Sequence, residues 1–313
     1  MTILSQPHFE RPTISPRQTG ISVEAGPLSV GGLRSRERLA PPRHEYADAP
    51  SMRRLMTPDR RVLQYITYFD GDELFTELTD NTIEARAKQY YNKEIWKSDE
   101  IEDDPARGKN VEFVTLVTPA AGETPMCSLR KMHASTWDEV EKLPSIEKFD
   151  KEDALDPKAK PILKASLEEG NDVVEIMALF SNTTSFYDIN ALFGCSLAES
   201  IKKKETWVMG MVGPVHEGFV RSCGDIAVQT VGDAVPVKDG LARKEVMITP
   251  VIIEPIKVPE QMFRSIDEAD AKGDQVSKKL MQARLREFTR YFNFNLTQYF
   301  GEDTAARLEE LMK

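Results

Sequence analysis

Cysteine is scarce in this chain: 313 residues hold three, Cys127, Cys195 and Cys223. Their wide spacing and odd number exclude a disulfide framework, so three free thiols with no metal among them are expected. No C-x-x-C pair exists, and Cys127 stands six residues from His133, His216 seven from Cys223. Those gaps lack the clustering of a zinc site. Histidine is equally rare, with four in all. His216-Glu217 runs into Gly218 and Phe219 with no second histidine at helical spacing, which removes the zincin pattern.

Long apolar runs are also missing. The longest candidate, residues 246–256, is interrupted by Thr249, Pro250, Glu254 and Pro255, well short of the roughly 18 residues of a membrane span. Residues 1–10 lead into no apolar core of the secretory kind. With the cysteine usage, this sets the expectation of a cytoplasmic protein that does not bind membranes.

The phosphate-cradling loops are absent as well. There is no G-x-x-x-x-G-K-[ST] and no G-x-G-x-x-G behind a strand, and Gly210-x-x-Gly213 leads into Pro214 rather than a helix. Asp70-Gly71-Asp72-Glu73 could offer oxygens to a hard cation but lacks the other ligands of an EF-hand, so a turn explains it. Cys223 beside Arg221 could pair with His133 or His216 as a thiol–imidazole couple, without a local signature in support. The sequence therefore nominates no catalytic residue, no metal ligand and no cofactor.

What the chain does have is an unusual N-terminal segment. Residues 1–58 carry eight of the 19 prolines, with Gly20, Gly26, Gly31 and Gly32. Proline at this density blocks helices and removes ladder donors, which predicts an extended arm. Residues 1–61 hold ten arginines against six acids, a balance of +4 that leaves −14 for the rest of a chain whose net charge is −10. The first lysine is Lys88. Arg34, Arg36 and Arg38 alternate, so an extended strand would put them on one face, with Leu33 and Leu39 beside them. Arginine forks suit carboxylate or phosphate partners. The arm is expected to bind neighbouring subunits through these five residues, and nucleic acid only non-specifically.

Beyond the arm, the pattern predicts an α+β body over residues 59–260 and a helical C-terminal segment over 261–313. Strands are expected at 61–69, 111–118 and, most clearly, in 206–258, where short turns favour antiparallel pairing and place the largest part of the sheet. A helix is expected at 82–97 behind an Asn81 cap, another at 188–203, and 173–180 is strand or buried helix. Residues 119–161 give mixed signals, with a short helix around 137–143. At the C-terminus Ser265 and Glu268 suggest a capping box. Met281, Leu285, Phe288, Phe292, Leu296 and Tyr299 form one apolar stripe that ends at Gly301. Phe288, Phe292, Leu296 and Tyr299 belong either to the core or to an interface with a second subunit.

An arm, an aromatic-rich helix and no acid–base site together suggest a structural subunit of a large assembly. A virus or bacteriophage particle protein (capsid, neck or tail) is the expectation, its partners being other copies of itself and other assembly proteins, with the virion as its location. The alternative is an enzyme or accessory protein of nucleic-acid metabolism with a flexible basic recruitment tail.

Overall fold

Strand β2, Val62–Phe69, shows how the local sequence sets the fold. Its β-branched and aromatic residues favour a pleated, half-buried surface, and Tyr65 and Tyr68 point to opposite faces, both buried. Gly71 ends the strand at φ +88°, and Asp72 accepts from the backbone N–H of Leu74 at 3.0 Å. That cap opens a short 3-10 turn that runs straight into α1, Thr76–Asn92. The helix thus starts six residues before the expected position, and Asn81 lies inside it. The computed structural model describes residues 50–92, 108–119, 124–183, 185–212, 228–237 and 246–313. Leu33, Arg34, Arg36, Arg38 and Leu39, the expected strand at 219–221, His216 and Cys223 lie outside the described residues.

Among the described residues the sheet has nine strands in the order β1-β2-β3-β4-β5-β6-β9-β7, with β8 also on β9. Besides β2 these are β1 Ser51–Met56, β3 Val111–Val117, β4 Pro125–Ala134, β5 Asp172–Ser181, β6 Glu205–Val212, β7 Val228–Thr230, β8 Val235–Val237 and β9 Val246–Ile253. The fold is α+β with a mostly antiparallel sheet, as expected. It is one sheet, begun by β1 within the segment read as arm and continued by the four strands β6–β9 of the 205–253 region. β4 gave no sequence signal because Arg130, Lys131 and His133 interrupt its alternation; all three are buried. β5 and β6 form the one parallel pair among the described strands, joined by helix α5, Phe186–Lys203. Lys204, at φ +57°, ends that helix.

Short helices α2 (Trp137–Val140), α3 (Pro144–Lys151) and α4 (Ala159–Glu168) join β4 to β5. They cover one face of the sheet through Leu143, Ile146, Leu163, Val173 and Val208. The opposite face carries the main core under α5, α6 (Val258–Ala271) and α7 (Gln275–Thr289). Helix α6 begins behind the Pro255–Lys257 turn with Pro259 in its first turn, so Ser265 is interior and not a cap. Gly273, at φ +70°, separates α6 from α7.

The apolar stripe is broken after Thr289. Asn295 accepts from Thr297 N–H at 3.1 Å and starts α8, Leu296–Tyr299. Gly301 is the N-cap of α9, Glu302–Met312, and not the C′ residue of a longer helix. Phe288 is 2 % exposed and sits in the main core; Phe292, Leu296 and Tyr299 pack partly buried against that same core.

Candidate functional site

The sheet opens in its middle. β5 and β6 pair in parallel from Asp172↔Glu205 to Ile176↔Met209 and no further. Beyond that point β5 stays with β4 as far as Ser181, while β6 stays with β9 through Val212↔Ile248. Among the described residues no backbone pairing joins Met177–Ser181 to Gly210–Val212. β5 also carries a bulge there: Met177 to Phe180 opposes only Arg130 to Ser128. An extra residue bends a strand, and the bend falls where the two strands part. This unpaired stretch, the slot, lies at the carboxyl ends of two parallel strands, the place where open sheets with crossover helices receive ligands.

Glu175 stands one residue before the last pair, on the α3 face. It is 3 % exposed. Both carboxylate oxygens accept the Ser145 N–H at 3.1 Å, and one accepts the Ser145 hydroxyl at 2.5 Å. Burial raises its proton affinity to a pKa of about 7, against the opposing pull of the Ser145 bonds. A carboxyl that titrates near neutrality is suited to taking a proton from a reacting group.

The first turn of α5 follows the end of β5. Asp188 there is fully buried and receives the Arg61 guanidinium at 2.6 and 3.0 Å and the Thr183 hydroxyl at 2.7 Å. Arg61 also donates to Ser185 Oγ at 2.8 Å and to Asp59 at 2.7 Å. The anion place at this helix N-terminus is therefore taken by the chain's own carboxylate.

The other end of the β5–β6 pair is locked by buried polar groups. Lys131 Nζ donates to Glu205 at 2.9 Å and to Ser200 at 3.0 Å, and Trp207 Nε1 donates to Ser200 Oγ at 2.8 Å. Glu112 accepts from Lys203 at 3.1 Å and lies 3.0 Å from His133 Nε2. Although burial opposes it, the His133 hydrogen bond and the ammonium groups of Lys131 and Lys203 hold Glu112 well below the ordinary carboxylate range. Glu112, His133 and Glu205 bring one ligand atom each within 4.8 Å of one another, and Glu205 Oε1 has no hydrogen-bond partner. Lys131 and Lys203 already pair with Glu205 and Glu112, so the cluster acts as an ion-pair lock.

The remaining sequence candidates resolve simply. Asp70 accepts from Gly108 N–H at 2.8 Å, which makes the Asp70–Glu73 segment a turn with capped backbone groups. Cys127 and Cys195 are free and fully buried, and burial pushes both thiols up, away from nucleophilic use. Glu175 and Ser145 were not singled out from sequence. Glu175 did leave a trace: it is the one charged residue in the apolar run 173–180.

No protein-family model matches the chain, and no curated protein does. Among solved structures it is similar to FeeM, an N-acyl amino acid synthase from uncultured soil microbes, at 11% identity and a TM-score of 0.41, over 64% of this chain and 95% of that one. It is also similar to BjaI, a CoA-dependent acyl-homoserine lactone synthase solved with MTA, at 9% identity and a TM-score of 0.43, over 78% of this chain and 97% of that one. The same synthase with SAM and isopentyl-CoA gives a TM-score of 0.42. These structures are enzymes, and the expectation of a capsid, neck or tail subunit is corrected accordingly.

Proposed function

We propose that this chain is an acyltransferase that joins an acyl group, delivered as a thioester on a phosphopantetheine arm, to an amine. The observation that carries the reading is the slot between β5 and β6 with Glu175 at its apex. An extended, amide-bearing arm can pair, as an added strand would, with two strand edges that have no partner among the described residues. Phosphopantetheine is such an arm and ends in the thioester sulfur. In the reaction the amine nitrogen attacks the thioester carbonyl carbon, the carbon–sulfur bond breaks, Glu175 takes the proton lost by nitrogen, and the thiolate leaves to be protonated as a free thiol. General-base assistance of this kind contributes about 10²–10⁴-fold.

The test uses the full chain with octanoyl-coenzyme A, and separately with an octanoyl carrier protein, in the presence of an amino-acid mixture. Amine-dependent thiol release and an N-octanoyl product by mass spectrometry are expected from one of the two donors, with Glu175→Gln slower by about 10²-fold or more. Absence of thiol release with both donors, or full activity in Glu175→Gln, overturns the reading.

A further inference from the structure

Glu175 owes its placement to one neighbour. Ser145 lies in the first turn of α3 and is 8% exposed, and it reaches the carboxylate through main chain and side chain together. On the other side of the hydroxyl is Gly210, the first residue of β6 beyond the last β5 pair. A Cβ on Gly210 would stand 3.1 Å from Ser145 Oγ, tighter than most side-chain contacts, with Ile248 Cδ1 behind it at 3.6 Å. Glycine at this position leaves the hydroxyl the room it occupies.

We propose that Ser145 is the positioning residue of the site: its hydroxyl and N–H hold the Glu175 carboxylate at the strand opening and set how tightly it keeps a proton, and Gly210 preserves that contact. The inference rests on the acyltransferase reading only for what the proton does; the contact itself stands on the distances. Among the described residues burial and Ser145 are the influences acting on Glu175, with no charged partner among them. Burial favours the neutral acid, and the two hydrogen bonds favour the carboxylate. Losing the hydroxyl therefore makes Glu175 hold its proton to higher pH.

The experiment is a pH titration by NMR of the full chain carrying carboxyl-labelled glutamate, with Glu175→Gln assigning the signal. In Ser145→Ala the Glu175 midpoint should rise by about one pH unit, since one hydrogen bond to a carboxylate is being removed. Gly210→Ala should shift it in the same direction by crowding the hydroxyl, and it decides the matter if Ser145→Ala does not fold. The acid limb of the pH–rate profile should move with the midpoint. An unchanged midpoint in a folded variant overturns the assignment, whatever the activity. A shifted midpoint in a protein that transfers no acyl group leaves the Ser145 contact standing and sinks the acyltransferase reading instead.

Discussion

At the scale of single residues, the folded chain spends stability on Glu175. A carboxyl whose folded pKa lies near 7 rather than its usual 4.5 binds its proton more tightly when folded. Its contribution is fully present below the unfolded pKa and is lost as the pH rises through 7. Over that window the wild type should lose roughly 3 kcal/mol relative to Glu175→Gln, which cannot titrate. Urea unfolding of both proteins at pH 4.5 and at pH 8 measures the difference, and parallel pH curves would contradict it. The sequence shows Glu175 as a lone charge in an apolar run. It could not show that the charge faces Ser145, because the partners are 30 residues apart and meet only once α3 packs against the sheet. The thiols illustrate the reverse case. Spacing and count already implied free cysteines, and Cys127 and Cys195 are free and buried.

At the scale of elements, local chemistry predicts strands better than helix ends. β2, β3 and β9 are legible as β-branched and aromatic runs closed by turn residues. β4 is not, since its buried Lys131 and Arg130 read as surface charges; their compensation comes from α5, β6 and the ring of Phe113, none of them near in sequence. Removing one partner of a buried pair leaves the other uncompensated, so Lys131→Met should cost about 3–5 kcal/mol. Chemical denaturation checks this, and a loss below about 1 kcal/mol, the value of an exposed pair, would show that the lock is not holding the closed end of the β5–β6 pair. Helices α5 and α7 meet at Gly194, where a Cβ would fall 2.6 Å from Tyr291 Cδ2 and 3.4 Å from the Phe288 backbone. Overpacking there makes Gly194→Ala destabilising by about 1–3 kcal/mol. A melting temperature equal to wild type would show that the ring moves aside freely. The C-terminal stripe misled because a period of three and four residues continues across the break at residues 290–295, where Asn295 caps a new helix.

At the scale of the whole molecule, the α+β class and the antiparallel bias follow from short turns, and both are visible in composition and spacing. The parallel β5–β6 pair is not. It depends on α5 carrying the chain back across the sheet, and short-range pattern holds no information on which edge the returning strand joins. The slot exists only because of that pair, so the sequence nominated an assembly protein from its arm and its aromatic helix while the candidate site stayed out of view. No helix among the described residues is long and apolar enough to cross a membrane.

The slot between β5 and β6 is where the acyl carrier is expected to lie. Amide hydrogen exchange of the full chain, with and without a non-hydrolysable thioether analogue of octanoyl-coenzyme A, reads that claim at the backbone. Slowed exchange is expected in Met177–Ser181 and Gly210–Val212, whose facing edges have no strand partner among the described residues, with little change in the paired stretch Asp172–Ile176. Unchanged exchange along both edges at saturating analogue, or protection confined to another part of the molecule, would contradict it.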